Sequence, residues 1–283
     1  MTCYQAMVSD LCKKMISEQL PYKDTILLGD NSSGKSDVLK GVIENSDRQK
    51  YYFIDAVNRE FDVKQISFKK EKIAYSSEIN DTRLSEDIFN HKDSFYYRGT
   101  PRAIEDFYFN YKDRLEKLMQ NFLRIEFEVK QELTGAVVYV NDERFILSSG
   151  YQALIRIFLE ILYYEDTMHE GTVVIDEIDE FLSVKNCGKI FDFLRGNFPT
   201  LNFIVTTHSA DLIAETENAN IVLLRNTNYE VLDAGDFRSI SQVYDLFKDV
   251  FKIEKEKTSK EVIDTKLRVL FNNKMSGIWN EEC

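Results

Sequence analysis

Residues 25–37 constrain this chain more than any other stretch: Thr-Ile-Leu-Leu-Gly29-Asp30-Asn31-Ser32-Ser33-Gly34-Lys35-Ser36-Asp37. A short apolar run leads into G-x-x-x-x-G-K-S, and a helical pattern opens behind it. A phosphate-binding loop needs that order: a buried strand delivers the chain, glycines let it turn tightly, and a helix follows. Backbone N–H groups of the loop and the positive end of the helix dipole then face one point, where a di- or triphosphate sits. Lys35 is expected to reach the β and γ oxygens, and the Ser36 hydroxyl to ligate Mg²⁺. A Gly/Ser-rich turn can match such a pattern by chance. The strand before it and the helix after it favour nucleotide binding.

The 283 residues suit one large domain, or a core with a sizeable insertion. Hydrophobic residues make up 43% and charged residues 30%, which is ordinary for a globular chain and excludes a disordered one. Three prolines and eleven glycines leave little material for a flexible linker. The net charge of −12 opposes non-specific affinity for nucleic acid or an anionic membrane. With no bilayer-spanning apolar run and no signal-peptide pattern, the expected location is cytoplasmic, with no membrane partner. Cys3, Cys12, Cys187 and Cys283 are scattered without a C-x-x-C pair, which argues against metal or disulfide roles. Of His91, His169 and His208, only the last has a motif around it.

Periodicity orders the rest. Residues 3–18 place Met7, Leu11, Met15 and Ile16 at helical spacing, and Val38, Leu39, Val42 and Ile43 give the helix behind the loop its apolar face. Residues 51–57 read as a buried strand. Residues 61–79 carry Lys64, Lys69, Lys70 and Lys72, and a solvated strand pair is favoured there over a nucleic-acid surface. A helical pattern runs from about 83 to 130 through Phe107, Tyr111, Leu115, Leu118, Phe122 and Ile125. A hairpin is expected from 136–140 and 144–147, then a helix at 151–164. A strand at 172–175, a helix at 181–194, a strand at 203–206 and a hairpin from 221–224 and 229–232 follow, and 240–279 reads as mainly helical. Strands and helices alternating around a phosphate loop mean a mostly parallel α/β sheet.

Three further stretches carry chemistry. Thr-Val-Val-Ile-Asp176-Glu177-Ile-Asp179 is an apolar strand ending in acids. Asp176 is placed to hold Mg²⁺ opposite Ser36, and Glu177 to orient or deprotonate an attacking water. A strand running into a solvated acidic turn is the plainer reading. Leu147-Ser148-Ser149-Gly150-Tyr151-Gln152 opens a helix and offers hydroxyls and N–H groups to an anion, alongside a plain capping role. Thr206-Thr207-His208-Ser209 follows the 203–206 strand, where strand-end polar residues face a ligand crevice.

In this order the four pieces resemble the ABC-type ATPase cassette. The 29–36 loop is similar to its Walker A loop, 147–152 to its signature motif, 175–179 to Walker B with the D-loop, and His208 to the switch histidine. The spelling is closest to the stand-alone AAA/ABC ATPases, which include overcoming-lysogenization-defect-like and anti-phage ATPases and, more distantly, structural-maintenance-of-chromosomes and RecF-type ATPases. The resemblance covers roughly residues 20–235. It implies an α/β P-loop NTPase of ABC-cassette type: a mostly parallel sheet flanked by helices, with a helical insertion carrying the signature motif. A single ATPase domain would then have a core lobe at about 20–82 and 165–235, a signature lobe at about 83–164 and a C-terminal helical segment at about 236–283.

By that resemblance ATP contacts Gly29, Asp30, Asn31, Ser32, Ser33, Gly34, Lys35, Ser36 and Asp37, with Mg²⁺ on Ser36 and Asp176. Glu177 and His208 are the implied catalytic residues. Ser148, Ser149 and Gly150 would serve the nucleotide of a second copy in an ATP-bound homodimer, with Asp179 at the seam. The implied output is a protein effector switched by hydrolysis, in bacterial anti-phage defence. A DNA repair or chromosome-maintenance ATPase and the nucleotide-binding subunit of a transporter are the alternatives. Tyr151 stands where the family has Gln or Glu, and a helix replaces the strands that usually precede Walker A. The base-stacking aromatic is therefore open, with Tyr22 a candidate, and Gln49 and Gln65 are candidates for the Gln-loop.

Overall fold

The strand–helix alternation builds one sheet with helices on both faces in the computed structural model, which describes residues 2–56, 59–85, 95–133, 135–225, 227–237 and 240–251. In chain order the elements begin α1 (Cys3–Ile16), β1 (Thr25–Gly29), α2 (Lys35–Glu44), β2 (Tyr51–Ile54), α3 (Glu78–Arg83), β3 (Tyr96–Tyr97), β4 (Thr100–Pro101) and α4 (Tyr108–Leu123). They continue with β5 (Phe127–Glu132), β6 (Gly135–Val140), β7 (Glu143–Arg144), α5 (Ser149–Met168), β8 (Gly171–Ile175), α6 (Val184–Asn197) and β9 (Leu201–Thr206). Last come α7 (Ala210–Glu215), β10 (Asn220–Arg225), β11 (Asn228–Asp233) and α8 (Ile240–Phe251). The main sheet has the order β11-β10-β1-β9-β8-β2, parallel throughout except for β11 at one edge. β1 lies inside it, with Thr25 opposite both Ile204 and Asn220.

Both faces of the sheet are covered, so its strands are continuously apolar rather than alternating. Ile26 and Leu28 join Tyr52, Ile54, Val173 and Ile175 in the core under α4 to α7. Leu27, Phe53, Val174, Ile204, Val222 and Leu224 face the other way, onto Met7 and Leu11 of α1 and Val38, Leu39, Val42 and Ile43 of α2. Helix α1 starts on a capping box, the Thr2 side chain accepting from the Gln5 N–H while Gln5 accepts from the Thr2 N–H.

Beneath β2 lies a charged layer that apolar periodicity does not report. Arg83 is fully buried and donates to Glu160 through two nitrogens, at 2.7 and 3.0 Å, and to the Phe53 carbonyl at 2.7 Å. Arg156 Nε donates to the other side of Glu160 at 2.6 Å, and the Tyr52 hydroxyl adds a contact at 2.9 Å. Burial alone would raise the Glu160 pKa, but the two guanidinium groups outweigh it and hold the carboxyl at about 2.

Four expectations need correction. Residues 61–79 form no strand pair: a 3-10 turn at Val63–Gln65 and irregular chain stand there, because the backbone bonds elsewhere. Glu71 N–H meets Asn110 Oδ1 at 3.1 Å, and Asn110 Nδ2 meets the Glu71 carbonyl at 2.7 Å. Among the described residues, the helix expected over about 83–130 is confined to Tyr108–Leu123: Tyr96–Tyr97 and Thr100–Pro101 pair as β3 and β4 before it, and Arg124 turns left-handed at φ +63° after it. Phe127 and Val129 then alternate inward as a strand, so β5, β6 and β7 form a three-stranded antiparallel sheet in place of a lone hairpin. The second hairpin arm is only Glu143–Arg144, not 144–147. The strand expected over 51–57 stops at Ile54, residues 57–58 lie outside the described residues, and so does everything after Phe251 in the 240–279 stretch.

Candidate functional site

A parallel sheet collects its chemistry at the carboxyl ends of its strands, and three of those ends meet here. β1 runs into the loop of residues 29–36, whose Ser33 N–H bonds the Asp30 carbonyl at 3.1 Å. Gly29 has no room for a side chain: a Cβ would sit 2.4 Å from Ser33 Oγ and 2.9 Å from the Leu224 carbonyl. Gly34 is left-handed at φ +102° and enters α2. Asn31 N–H is fixed by Asp30 Oδ1 at 2.7 Å, and Ser32 is left-handed at φ +63°. Lys35 folds back over the loop, Nζ donating to the carbonyls of Gly29 at 2.8 Å and Asp30 at 3.1 Å. Burial lowers its pKa, against the opposing pull of Asp176 and Glu177.

The end of β8 brings the acids. Ser36 Oγ lies 3.4 Å from Asp176 Oδ2. Thr206, at the end of β9 and fully buried, donates its hydroxyl to Asp176 Oδ1 at 2.6 Å and accepts the Glu177 N–H at 2.6 Å. Glu177 itself is left-handed at φ +48°, which is uncommon without glycine. Its pKa is raised by burial first, then by Asp176, Glu180 and Asp179. His208 Nε2 stands 4.0 Å from Glu177 Oε1, and the His208 N–H donates to Asp179 Oδ2 at 3.4 Å. Burial and the charge of Lys35 push the imidazole pKa down, so the ring is neutral near pH 7.

Residues 29–37, Asp176, Glu177, Asp179 and His208 are thus brought together. Ser148, Ser149 and Gly150 open α5 and line a separate groove with Phe181, Leu182 and Ser183, just past the acidic turn. Ser148 holds the N-cap position, its carbonyl accepting the Gln152 N–H at 3.0 Å, while its side chain makes no capping hydrogen bond. A Cβ on Gly150 would meet the Phe181 carbonyl at 2.9 Å. Tyr22 is not near the loop: it precedes β1, at the opposite end of the sheet, and its hydroxyl bonds Asp233 at 2.8 Å. Gln49 likewise precedes β2 at the far end, and Gln65 is exposed in its 3-10 turn. The aromatic residue on the loop is Tyr4 of α1, which donates to Asp37 and would collide at 2.7 Å with a side chain at Gly34. Burial, then Asp37, pushes the Tyr4 pKa up to about 12.

Sequence reasoning missed Tyr4, the two hydrogen bonds of Thr206, and the reach of Arg59 to the acidic turn. The Arg59 side chain is buried and donates to the Asp176 carbonyl at 2.7 Å and the Glu177 carbonyl at 3.3 Å. A threonine closing an apolar strand beside an acidic one was a readable signal; the other two were not.

The donor set fits a magnesium ion. One hydroxyl and one carboxylate, on Ser36 and Asp176, are what Mg²⁺ takes from protein when phosphate oxygens and waters complete its octahedron. Among the described residues no group of three or more His, Cys, Asp or Glu converges, as an all-protein cage would require. Ser33 Oγ and Asp179 Oδ1 are buried polar atoms without a hydrogen-bond partner, one in the loop and one in the acidic turn.

No protein-family model matches the chain, and no curated protein does. Several solved structures are similar in part. An inward-facing ABC transporter of metal-chelate type shares 17% identity over 82% of this chain and 79% of that one, with a TM-score of 0.41. An SMC ATPase structure concerned with ATP-driven dimerisation and DNA-stimulated activation shares 15% identity, covering 52% of this chain and 97% of that one at a TM-score of 0.37. An SMC head bound to the C-terminal winged-helix domain of ScpA shares 14% identity over 45% of this chain and 44% of that one, at a TM-score of 0.33. The chain therefore spans less than half the length of that SMC head chain. At such identities and scores the likeness assigns no activity. The loop between β1 and α2, the parallel order around it and the helices on both faces establish the class: an α/β fold of the P-loop NTPase type.

Proposed function

We propose that this chain is an ABC-type ATPase that binds Mg-ATP at residues 29–37, dimerises on it, and uses hydrolysis to switch a protein effector. The observation that carries the reading is the convergence of the Lys35 loop, the Ser36–Asp176 pair and Glu177 at the ends of β1, β8 and β9. Lys35 and the loop N–H groups bind the phosphates, and Ser36 and Asp176 hold Mg²⁺. The metal, when bound, neutralises phosphate charge. Glu177 accepts the proton of the attacking water, and its raised pKa brings it closer to the working pH of a general base. The His208 imidazole stands beside Glu177, 4.0 Å from its carboxylate, at the place of the switch histidine in the family it resembles.

Ser148, Ser149 and Gly150 lie outside this cluster, which supports a composite site completed by a second copy, with Asp179 at the seam. Among the described residues no helix is long and apolar enough to cross a membrane. A cytoplasmic effector switch, set in bacterial anti-phage defence, rests on the resemblance to stand-alone ATPases.

Mg-ATP at a hundredfold excess over its dissociation constant is expected to stabilise the folded chain by about 2.7 kcal/mol, read as a rise in Tm. Lys35→Ala should abolish the rise. A wild-type chain that no nucleoside triphosphate stabilises would end this reading. Ser148→Arg separates the two halves of the proposal. It should leave ATP binding intact and abolish turnover, whereas turnover that survives it and stays linear in protein concentration means a monomeric enzyme.

A further inference from the structure

The residues that follow β2 tie the start of α5 to the acidic turn. Gln152, in the first turn of α5, bonds two segments: Nε2 donates to the Leu147 carbonyl at 3.1 Å, and Oε1 accepts the Phe61 N–H at 3.2 Å. One turn later Arg156 Nη1 donates to the Glu60 carbonyl at 3.4 Å. The Asp62 N–H bonds Glu105 Oε1 at 2.9 Å, and that same oxygen lies 3.5 Å from Arg156. Residues 60–62 are thus held by three side chains, two of them from α5. Their neighbour Arg59 reaches the other way, to the carbonyls of Asp176 and Glu177.

We propose that residues 59–62 act as a strap linking the 147–152 loop to Glu177 of the same chain, with Arg59 the positioning residue for Glu177. The left-handed Glu177 backbone is held from two sides, its N–H by Thr206 and its carbonyl by Arg59. Arg59 is too buried to reach a ligand in the crevice, at 3% exposure, so it acts through the backbone of the turn. Its Nε and Nη1 have no hydrogen-bond partner, so Nη2 alone carries its bonds to the two carbonyls, while the charge of buried Asp55 attracts the guanidinium. Whatever moves Leu147 or Gln152 therefore moves Phe61 and, through Glu60, the arginine that sets Glu177. The strap deepens the ATPase reading, because its effect on turnover depends on Glu177 being the base.

The test uses Gln152→Ala, which cuts the strap at a half-buried position, and Arg59→Lys, which keeps the charge but whose shorter side chain ends before the position of Nη2, the single nitrogen that meets both carbonyls. In the nucleotide-free chain, amide hydrogen exchange of the peptide covering 174–182 should rise about tenfold in each variant, while the peptide covering 27–37 stays unchanged; a tenfold change is 1.4 kcal/mol of local opening. ATP affinity should hold within twofold while kcat falls at least tenfold, and the double variant should fall no further than the worse single one. Unchanged exchange at 174–182 in Gln152→Ala overturns the strap, and so do additive kcat losses. If Arg59→Lys fails to fold, the exchange result for Gln152→Ala still decides. A wild-type chain that binds no nucleotide defeats the ATPase reading, and the exchange measurement then judges the strap by itself.

Discussion

Glu177→Gln is expected to cut ATP turnover by about 10²- to 10⁴-fold, the range general-base catalysis contributes, with nucleotide binding retained. The amide keeps the shape and the hydrogen-bonding reach of the carboxylate but takes no proton. The Glu177 backbone is fixed by Thr206 and Arg59, so the substitution should leave the turn in place and isolate the chemistry. The resemblance adds a second readout, since a chain that binds ATP and cannot hydrolyse it should accumulate as a closed dimer in light scattering. The pH profile carries the same signature. Burial and the neighbouring acids raise the Glu177 pKa, so kcat should fall with acid at a pH above that of an ordinary carboxylate, and Glu177→Gln should erase that limb. Turnover that is undiminished in Glu177→Gln would remove the residue from the mechanism.

Arg83→Met is expected to destabilise the fold by about 3–5 kcal/mol, the cost of breaking a buried ion pair by removing one partner: Glu160 keeps Arg156 but loses two hydrogen bonds, and buried Asp55 loses a cation 3.9 Å away. Arg83 and Glu160 are both fully buried, and Arg83 also supports the Phe53 carbonyl beneath β2. Removing Glu160 as well, in an apolar double variant of similar volume, should recover part of the loss, because burying the ions is itself costly and Arg156 still meets Glu105. Equilibrium urea denaturation reads both variants, and an Arg83→Met loss below about 1 kcal/mol would show the pair to be solvated. Acid tests the same cluster. Glu160 has a folded pKa depressed to about 2, so its contribution is complete above the unfolded carboxylate value and is lost as pH falls towards about 2.

What could be read from the chain in advance was local. The 25–37 stretch, the acid-ended strand at 172–179 and the residues after β9 each carry their meaning within a few positions. The structure joins them because adjacent parallel strands end on the same side. That same polarity rules out Tyr22 and Gln49, which stand before their strands and so at the wrong end of the sheet. β5 escaped because Glu128, Lys130 and Glu132 interrupt its apolar residues directly after a helix of strong period, and the left-handed Arg124 that divides the two has no fixed spelling. Tyr4, Arg59 and Gln152 were hidden for another reason. Their partners lie 33, 117 and 91 residues away, and nothing in a polar side chain's own neighbourhood names a partner that distant.

The position of β1 has a consequence for how the protein is made. Its Thr25 pairs with Ile204 on one side and Asn220 on the other, strands that leave the ribosome nearly two hundred residues later. At about 5–20 residues per second, synthesis leaves Ile26, Leu27 and Leu28 without sheet partners for roughly 10–40 s. α1 and α2 can shelter one face of that strand early, through Leu27, while Ile26 and Leu28 wait for helices encoded much further on. The phosphate loop hangs from the end of this strand, so a nascent chain stopped before β9 has the residues of the loop without the sheet that shapes it. Nucleotide therefore cannot assist the early stages of folding, and a chaperone that covers short apolar segments has a long interval in which to act.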